Sequence, residues 1–308
     1  MESCHGVRPV HLPRTPPLEL RGRRFDAGTP AVMAIVNRTP DSFFVTAGTT
    51  GLDAALAALH RAVADGADLV DVGGVRAGQE GEWVDAEAEV ARVLPFLEAA
   101  RAAYPDLVIS LDTWRSEVLD ACAAVGIDLV NDTWAGADPE LAACAAALGA
   151  GYVVSHTGGL PPRTDPVGMS YGDDPDAVVA SVLDGLAAGA ARAVDAGVRP
   201  SGVLIDPTLD FGKTTRHSLR VLRATAQVAE LGFPVLQAIS RKDFVGETLD
   251  LPASERLEGS LAATAVAAWL GATVFRTHDV LATRRTVDMV ASLRGERPPA
   301  RAVRGEPG

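Results

Sequence analysis

The chain of 308 residues is 47% hydrophobic and 22% charged, with a formal net charge of −12. That is enough apolar material for one large core, and so acidic a balance argues against non-specific binding to nucleic acid or to anionic membranes. No apolar run reaches the ~18 uninterrupted residues expected of a membrane span, and Cys4, Cys122 and Cys144 show neither disulfide nor zinc spacing, as expected of a cytoplasmic protein.

Residues 1–30 contain five Arg and several Pro but no apolar signal core, and read as a flexible basic tail. Eight β-rich runs follow, at Val32–Val36, Leu69–Val72, Val108–Asp112, Leu129–Asp132, Tyr152–His156, Val203–Asp206, Val235–Ile239 and Val274–Thr277. Helical patterns alternate with them, over Asp53–Ala64, Asp85–Tyr104, Ser116–Val125, Asp138–Leu148, Asp176–Ala196, Thr215–Leu231, Ser254–Leu270 and Asp279–Leu293. Most begin at an acid, Ser or Thr, and several stop at Gly, the expected asymmetry of helix ends. Residues 294–308 read as a second flexible tail. Eight βα units in about 260 residues predict an α/β fold, a (β/α)8 TIM barrel forming a single domain over 31–293. The alternative, a doubly wound sheet, would carry a Gly-rich phosphate loop after its first strand; here Asn37-Arg38-Thr39-Pro40 follows instead.

A barrel places its active site at the C-terminal ends of the strands. In chain order those ends deliver Asn37, Asp71, Asp112, Asn131-Asp132, His156, Asp206, Ser240-Arg241-Lys242 and Arg276-Thr277-His278. Asp112, Asn131 and Asp206 are short acceptors suited to a neutral heterocycle with several N–H donors. Asn37, Arg276 and His278 lie on the first and last strands, neighbours once the barrel closes, and suit a diphosphate approached through Mg2+. Only two of the 28 basic residues are lysines, Lys213 and Lys242. In so Arg-rich a chain, Lys persists where a compact charge on a flexible stem is needed, so both are site candidates and Lys242 is placed to bridge the two halves. Phe211–Thr215 (FGKTT) imitates the end of a P-loop, but the first Gly of that motif would fall on Pro207. Cys122 and Cys144 read as helix packing, and His60 as a helix residue without a role.

The segments MAIVNRTPDSF (33–43), DLVDVGG (68–74), SLDTW (110–114), LVNDTW (129–134), LIDPTLDFGK (204–213), SRKDFVGETL (240–249) and FRTHDV (275–280) resemble, in this order, the motifs of the dihydropteroate synthase family of pterin-binding barrels. The resemblance covers residues 31–293 and implies a transferase of folate biosynthesis. That reaction joins 6-hydroxymethyl-7,8-dihydropterin diphosphate to 4-aminobenzoate and releases pyrophosphate. Carried over residue by residue, Asp112, Asn131, Asp206 and Lys242 would hold the pterin and Arg276 and His278 the diphosphate. Asn37 would ligate Mg2+, and Asn37, Lys242, Arg276 and His278 would serve catalysis. The resemblance also implies a homodimer, for which the Ala-rich helices 254–270 and 279–293 offer close-packing faces.

Departures from the family pattern gather on the second-substrate side. Phe44-Val45-Thr46-Ala47 replaces the usual Ser-Asp-Gly-Gly, the loop Val75–Gly81 is short and lacks the usual Thr and Pro, Ser155-His156-Thr157 replaces a Met-His-Met pattern, and Ala238 replaces a usual Gly. The alternative to a working synthase is therefore a pterin-binding paralogue that acts on another nucleophile or serves as a non-catalytic binding or regulatory protein.

Overall fold

The computed structural model describes residues 13–38, 51–76, 83–164 and 167–304. Asp41–Ala47 and most of Val75–Gly81, on which the second-substrate expectations rest, lie outside them. Eight strands form the barrel: β3 (Ala31–Asn37), β4 (Leu69–Gly73), β5 (Val108–Asp112), β6 (Leu129–Asp132), β7 (Gly151–Ser155), β8 (Val203–Asp206), β9 (Leu236–Ala238) and β10 (Val274–Thr277). They pair in parallel in the order β8-β7-β6-β5-β4-β3-β10-β9. An Ile205–Val235 bridge joins the two remaining edges, so the sheet closes on itself as expected of a (β/α)8 barrel.

The helices are α1 (Gly51–Ala64), α2 (Ala86–Ala103), α3 (Ser116–Cys122), α4 (Leu141–Ala147), α5 (Ala177–Asp195), α6 (Thr215–Arg223), α7 (Thr225–Ala229), α8 (Asp243–Leu249), α9 (Leu257–Trp269) and α10 (Val280–Leu293). Asp85 caps α2 by accepting from Ala88 N at 2.8 Å, and Thr214 caps α6 through the His217 amide. Two differences from the sequence reading have local causes. The run Thr215–Leu231 is broken at Ala224, where the Thr225 hydroxyl donates to the Leu222 carbonyl at 2.6 Å and diverts the backbone. The seven residues of α8 form an extra helix directly after Lys242, too short, and interrupted by Gly246, to show a helical period. Helix α5 is long and apolar enough to cross a membrane; here Val178, Val182, Leu186 and Ala190 are buried in the core it shares with β7 and β8.

Residues 18–25, assigned by sequence to the flexible tail, are ordered. β1 (Leu18–Leu20) and β2 (Arg23–Phe25) form an antiparallel hairpin turning through Arg21 and Gly22, both at positive φ (48° and 70°), as a two-residue I′-type turn requires. Leu18, Leu20 and Phe25 join one buried cluster with Ala31 and Met33 of β3 and with Leu69, Val108, Leu129, Val153, Leu204, Leu236 and Val274, so that every barrel strand contributes. The hairpin thus plugs the N-terminal end of the barrel. Arg23 holds Asp68 (2.6 Å) and Arg21 holds Asp128 (3.1 Å). Gly151 is required here, since a Cβ would sit 2.6 Å from both Leu20 Cδ2 and the Gly202 carbonyl. The second, larger core lies between the outward-facing strand residues, such as Val32, Val70, Ile109 and Val130, and the helices.

Candidate functional site

Strand side chains alternate between faces, so the residue two positions past each interior core residue also points into the barrel. That next layer is Ile35, Asp71, Ser110, Asn131, Ser155, Asp206, Ala238 and Arg276, and it is mostly polar. The layer above holds Asn37, Gly73 and Asp112 in register with Asn131, followed by Thr133, Thr208, Ser240 and His278 where the strands run into loops. A dry floor therefore supports two polar storeys at the C-terminal mouth.

Asp71 is the hub of the lower storey. Fully buried, it accepts from Ser110 Oγ (2.5 Å), Asn131 Nδ2 (3.0 Å) and Arg276 Nε (2.6 Å). Arg276 Nη2 donates to Asp112 Oδ2 at 3.0 Å, and Thr133 Oγ1 donates to Asp112 Oδ1 at 2.9 Å. The acceptor half and the basic half expected from sequence are therefore tied together by Arg276. Burial and the neighbouring Asp71 charge push Asp112 up to a pKa of about 7, against the pull of Arg276.

Asp206 stands across the mouth. It accepts from Thr208 N at 2.7 Å; burial raises its pKa, and the charges of Lys242 and Lys213 oppose the shift. The loop beyond it is strained. Thr208, Asp210 and Gly212 sit at φ of 51°, 70° and 65°, a region costly for a β-branched Thr. At Gly212 any Cβ would overlap the Thr157 carbonyl. Lys213 holds this backbone from beneath: it is buried, and its Nζ donates to the carbonyls of His156 (2.7 Å), Phe211 (2.9 Å) and Thr208 (3.2 Å). Burial lowers its pKa to about 7. From above, Lys242 Nζ donates to the Leu209 carbonyl and lies 5.0 Å from the Phe211 ring centre. Asp210 receives Phe244 N of α8 at 3.2 Å, which ties the two loops.

At the rim, His278 is exposed. Its backbone N–H donates to Ser240 Oγ at 3.2 Å, and desolvation within the mouth together with the Arg276 charge lowers its pKa. Asn37 is also exposed and offers a single neutral amide oxygen. Among the described residues no group of three His, Cys, Asp or Glu could hold a metal ion. Such a donor set fits a Mg2+ that keeps most of its waters and arrives with substrate phosphates, and does not fit a resident all-protein cage.

The sequence model of the family described as pterin binding enzyme matches residues 33–278. Dihydropteroate synthase of Haemophilus influenzae is 33% identical over 258 residues, covering 84% of this chain and 92% of that one. The chain belongs to the dihydropteroate synthase family. A protein of Mycobacterium leprae named inactive dihydropteroate synthase 2 is 55% identical over 286 residues, 93% of this chain and 98% of that one. Among solved structures, Xanthomonas albilineans dihydropteroate synthase with 4-aminobenzoic acid superposes with a TM-score of 0.80 at 35% identity, covering 91% of this chain and 98% of that one.

Within this family frame, the structure brings Asp112, Asn131, Asp206, Lys242 and Arg276 to one mouth, with Asn37 and His278 on its rim. Lys213 lies beneath the β8 loop, as a support for it. His156 is also structural: its ring is buried, Nε2 stands 3.1 Å from Ser181 Oγ, and burial lowers its pKa to about 3. Asp132 caps the loop after β6 and accepts from Tyr152 Oη at 2.6 Å. Two contributions escaped the sequence reading. Asp71 was visible only as a strand end, although it stands two residues after interior Leu69, just as Asp206 follows Leu204. Trp134 meets both Trp114 (6.5 Å) and Phe211 (5.7 Å) edge to face, an aromatic run beside the acceptors that joins the loops after β5, β6 and β8.

Proposed function

We propose that this protein binds a pterin diphosphate in the barrel mouth and couples it to 4-aminobenzoate poorly or not at all. The observation that carries the reading is the set of convergent acceptors, Asp112, Asn131 and Asp206, beside Lys242. It matches the N–H-rich edge of a pterin, and its carboxylates need such donors once desolvated. Arg276 and His278 would meet the diphosphate, and Asn37 would hold a Mg2+ accompanying it. That ion would neutralise charge on the leaving pyrophosphate. Arg276 already shares its charge between Asp71 and Asp112, which weakens its pull on an anion. The altered loops after the first two barrel strands, together with 55% identity to a protein named inactive, support weak use of the amine. The protein is proposed to act in the cytoplasm as a homodimer, and the exposed apolar Val266 of α9 and Leu281, Met289 and Leu293 of α10 support that contact face.

The test is calorimetry with the pterin diphosphate, followed by pyrophosphate release with 4-aminobenzoate and Mg2+. Binding with a kcat/KM well below ~10⁴ M⁻¹s⁻¹ is expected. A value at or above that level would establish an ordinary synthase. Absence of pterin binding would remove the reading altogether. Restoring a Glu-Ser-Thr-Arg-Pro second loop is expected to raise use of the amine.

A further inference from the structure

We infer that Asp71, which no ligand can touch, is the positioning residue that makes Asn131 an acceptor and so sets the mouth to read an N–H-donor edge. The inference rests on the pterin-binding reading above and adds a specificity device to it. Asp71 lies on β4 with no exposed surface and collects donors from three other strands, Ser110 on β5, Asn131 on β6 and Arg276 on β10. A carboxylate paired with a guanidinium only accepts. The Asn131 amide must therefore turn its nitrogen toward Asp71, whatever its orientation would be in isolation. Its Oδ1, together with the amide proton that Asp71 does not take, is left for the ligand. With Asn131 turned the other way, its oxygen would face the Asp71 carboxylate and the mouth would lose an acceptor for ligand N–H groups. Asp71 removes that option.

The same carboxylate orients Arg276. Nε is bound to Asp71 and Nη2 to Asp112. Neither bond uses Nη1, which is left as the guanidinium corner available to an anion. Asp71 thus makes no ligand contact of its own but sets the orientation of Asn131 and Arg276, which do. Ser110 satisfies the remaining oxygen of Asp71 and keeps the carboxylate from rotating between its partners.

The experiment uses the full chain and 6-hydroxymethylpterin without its diphosphate, so that the anion-binding role of Arg276 does not enter. Calorimetry is carried out on the unmodified protein, Asp71→Asn, Asn131→Ala and the double variant. Each single substitution is expected to weaken binding about 10–100-fold, the loss of one charge-assisted or buried hydrogen bond. The double variant is expected to bind no more weakly than Asn131→Ala, because both act through one contact. Losses that add, or Asp71→Asn with unchanged affinity, overturn the role of Asp71. Should Asp71→Asn fail to fold, NMR on the unmodified protein decides. The Asn131 side-chain NH₂ is expected to be protected from solvent exchange with and without pterin, and an exchange rate like that of an exposed amide overturns the inference. No pterin binding by the unmodified protein overturns the reading of the site itself, a result distinct from pterin binding without coupling between positions 71 and 131.

Discussion

Asp112 is held in the mouth at the expense of fold stability, and replacing it should show this. Its pKa rises from the ordinary 3.8 to about 7 because burial disfavours its charge and Asp71 repels it. A folded pKa above the unfolded one means that the folded state takes up a proton between those values. The wild-type protein should therefore lose stability from this group as pH rises from about 4 to about 7 and should regain none above it. The shift of about three pH units, at about 1.4 kcal/mol each, sets an upper limit of about 4 kcal/mol. Asp112→Asn removes this cost. It also turns an NH₂ toward either Arg276 Nη2 or Thr133 Oγ1, leaving one of those donors without its acceptor at about 1–3 kcal/mol. A net gain of about 1–2 kcal/mol at pH 8 is expected, together with loss of pterin binding, since an amide can turn a donor toward the ligand. The gain should shrink steadily toward pH 4, where wild-type Asp112 is protonated in the folded state and nearly half protonated in the unfolded one. Urea denaturation of both proteins from pH 4 to pH 8 measures this directly. A stability difference that does not change with pH, or a variant less stable than wild type at pH 8, refutes the reasoning.

Asp206→Ala is expected to lower pterin affinity about 10–100-fold while circular dichroism stays native, as calorimetry alongside a thermal melt would show. Lys242→Arg should lose pterin binding, because a planar fork cannot reach the Leu209 carbonyl from over the Phe211 ring as a point charge does; undiminished affinity would end that assignment. Lys213→Met removes three hydrogen bonds that hold Thr208, Asp210 and Gly212 at positive φ. Limited proteolysis should then cut within residues 207–213, and Lys213→Arg should not restore protection. Light scattering at working concentration is expected to report a dimer, with Met289→Glu shifting it toward monomer.

The barrel itself was legible in the sequence because each βα unit carries its own local signals. Alternating apolar strands such as Leu69–Val72, capping acids such as Asp85, and terminal glycines such as Gly126 are decided by residues near one another in the chain. The mouth was legible in outline for the same reason, since a strand end is a local feature: Asp112 and Asp206 close their strands and Asn131 stands one residue before the end of its own. What joins those residues is set by closure of the sheet. Arg276 meets Asp71 and Asp112 across a sequence separation of 205 and 164 residues, and no periodicity anticipates a pairing that exists only when β10 comes to lie beside β3. The hairpin over residues 18–25 escaped because strands of three residues gain their stability from the barrel floor they plug. Lys213 stood out by composition as one of two lysines, yet whether it faced a ligand or the backbone was decided by the turn at Thr208 and Asp210. Local chemistry determined which residues reach the mouth, and packing across the barrel determined which of them remain free to meet a ligand there.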